Sequence, residues 1–189
     1  IRHAAKARRD LGGRTLMNLL GPLANPAGAR FQLIGVHSTD LILPMARAAK
    51  ALGAERVLVC RSRDGLDEFS VGAPTDAVLV DEGGQETTFT LDPADLGIPC
   101  YPVSALRGET AAENALATDG ILAFRDRPAV SEAVALNAGA ALFARGACRS
   151  VAEGYQEAKA RLLSGEAAAF LDRVLASYAR DSAAEGGRP

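Results

Sequence analysis

The sequence predicts an α/β fold: a βαβ-containing mixed sheet with flanking helices. Three observations carry this expectation. Two short apolar runs, residues 31–36 (FQLIGV) and 56–60 (RVLVC), enclose a stretch with helical periodicity. Two further runs, 77–80 and 86–91, flank a polar turn that bears two glycines. After Pro99 and Pro102 the chain turns helical.

Each element has a local cause. The run at 31–36 lies between Gly28 and a polar stretch beginning at His37, and it reads as a buried strand. Leu41, Met45, Ala48 and Leu52 then fall at helical spacing and predict one apolar stripe. Ser38, Thr39 or Asp40 can cap that helix, Gly53 suits the left-handed position beyond its end, and Pro44 falls near its first turn. The second strand, 56–60, completes a βαβ unit, so these two strands should run parallel with a right-handed crossover. The turn Asp81-Glu82-Gly83-Gly84 predicts an antiparallel hairpin.

Thr110-x-x-Glu113 and Ser150-x-x-Glu153 match the capping box and place two helix starts. Pro128 separates helical stretches near 110–124 and 129–144. Val151, Tyr155, Ala158 and Leu162 share one face of the next helix, Gly165 closes it, and Phe170, Val174 and Tyr178 mark a last one. The expected organisation is one α/β domain portion over 1–182 and a small, polar, flexible tail over 183–189. The opening residue Ile1, in a stretch dense with charge and alanine, leads to the expectation of a C-terminal piece of a longer protein.

Composition narrows the function classes. The 189 residues carry 23 acidic and 21 basic side chains, a formal charge of −2, which gives no reason to expect a nucleic-acid or anionic-membrane surface. No apolar run approaches the ~18 residues needed to span a bilayer. Cys60, Cys100 and Cys148 lie far apart without a Cys-x-x-Cys spacing, which argues against a structural zinc site or a disulfide framework and favours a reducing cytoplasm. His3 and His37 have no partner at metal-ligand spacing.

Two stretches can carry chemistry. Residues 61–68 (RSRDGLDE) follow the second strand, and ligands of open parallel sheets bind beyond the carboxyl ends of strands. Gly65 permits a sharp bend, and Asp67 with Glu68 offers adjacent carboxylates of the kind that hold Mg²⁺ together with phosphate oxygens; the alternative is a solvated acidic loop. The other stretch, 11–26 (LGGRTLMNLLGPLANP), mixes turn formers with apolar residues. It predicts a buried, sharply turned segment, either part of a ligand site or a tight structural corner. Arg8 and Arg14 flank its start, and a guanidinium can grip a carboxylate with two parallel hydrogen bonds. His37 could contact a ligand or be an ordinary interfacial histidine, and Cys60 reads as packing rather than as a nucleophile.

The run from Arg8 to Thr15 (RRDLGGRT), continuing into Asn18 to Pro26 (NLLGPLANP), resembles the signature of the anthranilate phosphoribosyltransferase family. Asp64-Gly65-Leu66-Asp67-Glu68 falls where that family has its acidic metal motif, and the intervening QLIGV at 32–36 matches as well, so the resemblance covers nearly the whole chain. It implies the larger domain of a nucleoside-phosphorylase/phosphoribosyltransferase-like fold. It also implies a Mg²⁺-dependent pentosyltransferase of tryptophan biosynthesis, which moves phosphoribosyl from phosphoribosyl diphosphate to the amine of anthranilate. In that reading Arg8 grips the anthranilate carboxylate, the turn at Gly21 and Pro22 lies beside its ring, and Asp67 and Glu68 bind Mg²⁺. No further catalytic side chain is implied.

Gly13 and Met17 stand where the family has a branched apolar residue and a phenylalanine, and Arg61-Ser62 replaces a small or histidine-glycine stretch. The family's N-terminal helical domain, glycine-rich diphosphate loop and lysine-histidine-glycine-asparagine-arginine segment have no counterpart in these residues. The 189 residues alone are therefore expected to be inactive, and a homodimer is expected through that helical domain. The alternatives are a pyrimidine-nucleoside phosphorylase-like enzyme and a non-catalytic ligand-binding relative.

Overall fold

The computed structural model describes residues 17–108 and 110–185. Arg8, Arg14 and His3 lie outside the described residues, as does the end of the stretch expected to be a tail. Four strands form one sheet in sequence order: β1 (Phe31–Gly35), β2 (Arg56–Ser62), β3 (Thr75–Val80) and β4 (Glu86–Leu91). β1 and β2 are parallel, with Phe31 opposite Arg56 and Gly35 opposite Cys60; the other two pairings are antiparallel. The mixed sheet and its βαβ unit are as the sequence predicts. The carboxyl ends of β1 and β2 share a rim with the amino end of β3.

β2 shows why an apolar run makes a central strand. Val57 and Val59 face one side and Leu58 and Cys60 the other, and all four are almost fully buried because helices cover both faces. On one side lies α2 (Ile42–Ala51), joined by Val78 and Val80. On the other lie α4 (Pro128–Ala144) and α5 (Val151–Leu163), packed with Phe69 and Val71 of the loop after β2 against Ala77 and Leu79 of β3. β4 lies at one edge of the sheet and is threonine-rich and largely exposed, which suits that place.

Three local expectations change. The segment expected to be buried and sharply turned is in part a helix, α1 (Met17–Leu23), with Pro22 inside it and Leu20 and Pro22 exposed. Leu19 and Leu23 rest against the α2 side of the sheet, so one apolar face suffices and Gly21-Pro22 forms no turn. The stripe on α2 is Ile42, Met45, Ala46 and Ala49, with Leu52 exposed at 67%. A 3₁₀ turn (Thr39–Leu41) precedes the helix and shifts its phase, so none of Ser38, Thr39 and Asp40 provides a side-chain cap. At Ser150 the capping box is half made: the hydroxyl accepts from the Glu153 N–H, but the Glu153 carboxylate accepts from the Arg149 N–H and side chain instead.

Thr110 and Glu113 form the full box at the start of α3 (Ala111–Leu122). On α5, Val151, Tyr155, Ala158 and Leu162 are buried on one face as predicted. The last helix, α6 (Glu166–Glu185), runs three residues into the stretch read as a tail, and Phe170 and Tyr178 on it are exposed.

Candidate active site

The loop between β2 and β3 carries Asp67 and Glu68 at the carboxyl rim of the parallel pair. Its path is set by internal bonds. The Ser62 N–H donates to the Leu66 carbonyl (3.0 Å) and the Arg63 N–H to the Pro74 carbonyl (3.0 Å), while Gly65 turns the chain with φ +107°. The Ser70 hydroxyl donates to Asp64 Oδ2 (2.5 Å) and accepts from the Gly72 N–H (2.9 Å). Asp64 is thereby held inside the loop. Burial opposes its ionisation, but hydrogen bonds from Ser70, Ser62 and the Leu66 N–H outweigh that, and its pKa is lowered.

Asp67 and Glu68 differ. Both are exposed, and among the described residues neither makes a hydrogen bond or an ion pair. Their backbone is nonetheless pressed onto the sheet: a Cβ on Gly35, the last residue of β1, would sit 1.5 Å from the Asp67 carbonyl oxygen. Only glycine allows this approach, so the end of β1 and the acidic loop fit as one unit. Glu68 has a raised pKa from partial burial and from the charges of Asp67 and Asp64. Cys60, at the foot of the loop, has its thiol pushed up to about 12 by burial and by the same two carboxylates, Glu68 before Asp67. An inert packing role for Cys60 follows.

The donor set suits a hard divalent cation. Two adjacent carboxylates with free oxygens, open to solvent, leave the remaining coordination positions to water and ligand oxygens, the arrangement in which Mg²⁺ is commonly held. Among the described residues no group of three or more His, Cys, Asp and Glu forms a closed metal cage.

Gly21 and Pro22 occupy a different place. Pro22 lines a shallow cleft of about 250 Å³ with Asn25, Ala29 and residues 31–34 of β1, away from the strand end that Asp67 touches. His37 is partly buried just beyond the end of β1. Two surface clefts of about 360 and 500 Å³ lie among α4, α5 and α6, lined by residues outside the acidic loop, such as Arg161, Phe170 and Cys148.

Sequence reasoning missed one residue of the site. Asn137 on α4 accepts from the Phe69 N–H (2.9 Å) and donates to the Phe69 carbonyl (2.9 Å), 68 positions away and next to Glu68. The signal was present as a lone amide inside the apolar run Ala135-Leu136-Asn137-Ala138-Gly139.

Known proteins share this architecture. An anthranilate phosphoribosyltransferase of Thermomicrobium roseum is 46% identical over 92% of this chain and 50% of its own length. The crystal structure of the anthranilate phosphoribosyltransferase of Thermus thermophilus matches with a TM-score of 0.80 at 40% identity, over 93% of this chain and 51% of that one. The Saccharomyces cerevisiae enzyme in complex with PRPP and Mg matches with a TM-score of 0.79 at 26% identity, over 90% of this chain and 49% of that one. The chain thus spans about half the length of the relatives it matches. The family model described as "Glycosyl transferase family, a/b domain" matches residues 1–168, and the chain belongs to that family.

Proposed function

We propose that the protein carrying this chain is an anthranilate phosphoribosyltransferase. Phosphoribosyl diphosphate and anthranilate are its substrates, and Asp67 and Glu68 hold Mg²⁺ against the diphosphate. One observation carries the reading: a pair of carboxylates without partners among the described residues sits at the carboxyl rim of a parallel strand pair, in a chain of this family.

The chemistry matches that placement. The bond from the sugar's anomeric carbon to diphosphate breaks, a bond to the anthranilate nitrogen forms, and the amine loses one proton. Charge develops on the leaving group, so electrostatic stabilisation is the main demand. Bound Mg²⁺ supplies Lewis-acid stabilisation of that charge. The chain's own contribution is to fix the two carboxylates through the Gly35 contact and the bonds inside the loop. Anthranilate's neutral amine is already nucleophilic, so no side chain has to remove its proton before attack. Arg8 is the proposed grip on the anthranilate carboxylate, and Gly21 and Pro22 are the proposed wall beside its ring.

The family resemblance carries with it a cytoplasmic location and a homodimer. Cys60, Cys100 and Cys148 are all free thiols, which suits a reducing compartment. Among the described residues no helix is long and apolar enough to cross a membrane.

The test is substrate consumption by the native protein with Mg²⁺. Loss of anthranilate with stoichiometric diphosphate release is expected. Phosphorolysis of thymidine in place of that reaction, or anthranilate binding without diphosphate release, overturns the reading.

A further inference from the structure

We infer that Asn137 is the positioning residue of the acidic loop, acting from α4 to fix where Asp67 and Glu68 present their oxygens. The inference rests on the reading of those two carboxylates as cation ligands.

Phe69 follows Glu68 directly, and its backbone meets a side chain in place of a neighbouring strand. Asn137 supplies one acceptor and one donor to it, the pairing that a β-strand neighbour would supply, and its amide nitrogen also donates to the Ala133 carbonyl one helical turn back (3.0 Å). The amide is therefore held by its own helix and by the loop together. Phe69 and Val71 are fully buried on the same side, so the loop beyond Glu68 can neither slide nor rotate without emptying the core. On the other side of Glu68, the Asp67 backbone abuts Gly35. Asp67 thus sits at one fixed point, on β1, and Glu68 lies between it and a second, on α4. Of the two, only Asn137 is a side chain that can be altered without a backbone clash.

An amide is required chemically. Asp at 137 keeps the acceptor for the Phe69 N–H but turns a second lone-pair oxygen toward the Phe69 carbonyl, which repels it. The loop then relaxes away from α4, and the carboxylates lose their fixed aim. Groups that orient metal ligands from outside typically change metal affinity ~10–100-fold.

The experiment uses the native protein with phosphoribosyl diphosphate and Mn²⁺ as a paramagnetic probe, without anthranilate, and free Mn²⁺ is read by electron paramagnetic resonance. Asn137→Asp should weaken Mn²⁺ binding ~10-fold or more. In turnover assays it should raise the Mg²⁺ requirement, with an unchanged KM for anthranilate and kcat largely restored at high Mg²⁺. Asn137→Ser, which leaves both Phe69 groups to water, gives the same readout if the aspartate variant does not fold. Glu132→Gln on the same helix is the control for a merely structural effect: it should lower Tm and leave Mn²⁺ affinity alone. The inference is overturned if Asn137→Asp binds Mn²⁺ like wild type, or no worse than Glu132→Gln at equal loss of Tm. Asp67→Asn separates the two readings. If it leaves Mn²⁺ binding unchanged, the cation assignment itself fails; if it weakens binding while Asn137→Asp does not, only the positioning role fails.

Discussion

Two groups of carboxylates show opposite solutions to the cost of charge. Glu132 sits within the helical layer, 6% exposed, and is fully engaged: it accepts from the Tyr155 hydroxyl (2.6 Å) and from Lys159 Nζ (2.7 Å). Lys159 also donates to the Tyr155 oxygen and lies 4.9 Å from the centre of the Phe124 ring. Asp67 and Glu68, on the rim of the sheet, stay in solvent and have no such partners among the described residues. A buried charge persists only when paired, so the first arrangement serves folding. Adjacent exposed carboxylates on a backbone held against Gly35, with no such partners among the described residues, are what the proposed role as cation ligands requires.

The largest expected effect tests the rim. In the native protein Asp67→Asn should lower turnover ~100-fold or more, because a Lewis acid contributes several kcal/mol to charge stabilisation. Its circular dichroism and Tm should stay close to wild type. Near-normal rates at limiting Mg²⁺ would remove the distinction between the two groups of carboxylates.

The mirror experiment is Glu132→Ala, which leaves the Tyr155 hydroxyl and Lys159 without their acceptor. A loss of ~3 kcal/mol in a urea titration is expected, as for one partner taken from a buried pair. The Mg²⁺ dependence should not move. If instead stability held and the metal requirement rose, the helical layer would belong to the chemistry.

Gly139→Ala sharpens the same contrast two residues from Asn137. A Cβ there would meet the Tyr155 backbone nitrogen at 2.3 Å, and Gly154 faces it just as closely, so α4 and α5 would have to part. A cost of ~1–3 kcal/mol is expected from such overpacking, measured as a lower urea midpoint.

The smallest effect is a difference in pH response. Asp76 near the rim has its pKa lowered first by the hydrogen bond from Arg63, so its stabilisation is present above about pH 3.9 and is lost as pH falls through its lower folded value. Lys159 has a raised pKa; burial opposes the charge, but bonds to Glu132 and Tyr155 outweigh burial. Its stabilisation is present below about pH 10.4 and is lost as pH rises through the higher folded value. The gap in urea midpoint between wild type and Asp76→Ala should therefore narrow in acid, and that for Lys159→Met should narrow in alkali. A gap that narrowed at the opposite end would invert the assignment.

The parts of this molecule that were legible in sequence are those whose cause is local. β2 could be read because a strand buried on both faces is a continuous apolar run, and the turn of the hairpin because glycines at 83 and 84 interrupt two β-prone runs. The acidic loop was visible for the same reason, as six polar residues in the eight from Arg61 to Glu68, which begin at the end of β2. The α2 stripe was misread because a 3₁₀ turn resets helical phase, and nothing within residues 39–41 announces which kind of turn will form. The segment around Gly21 and Pro22 was misread because turn-forming residues also fit a short, exposed helix when a neighbouring helix accepts its leucines.

The sequence by itself determined the alternation of strand and helix, the hairpin, the helical layer and the carboxylates at the end of β2, since each follows from the periodicity or composition of neighbouring residues. Tertiary structure alone decided that Gly35 would receive the backbone of Asp67, that Asn137 would clasp Phe69 across 68 positions, and that Glu132 would pair with Lys159 and accept from the Tyr155 hydroxyl. Contacts of this kind depend on where three layers place groups distant in sequence, and no local pattern of residues encodes that distance.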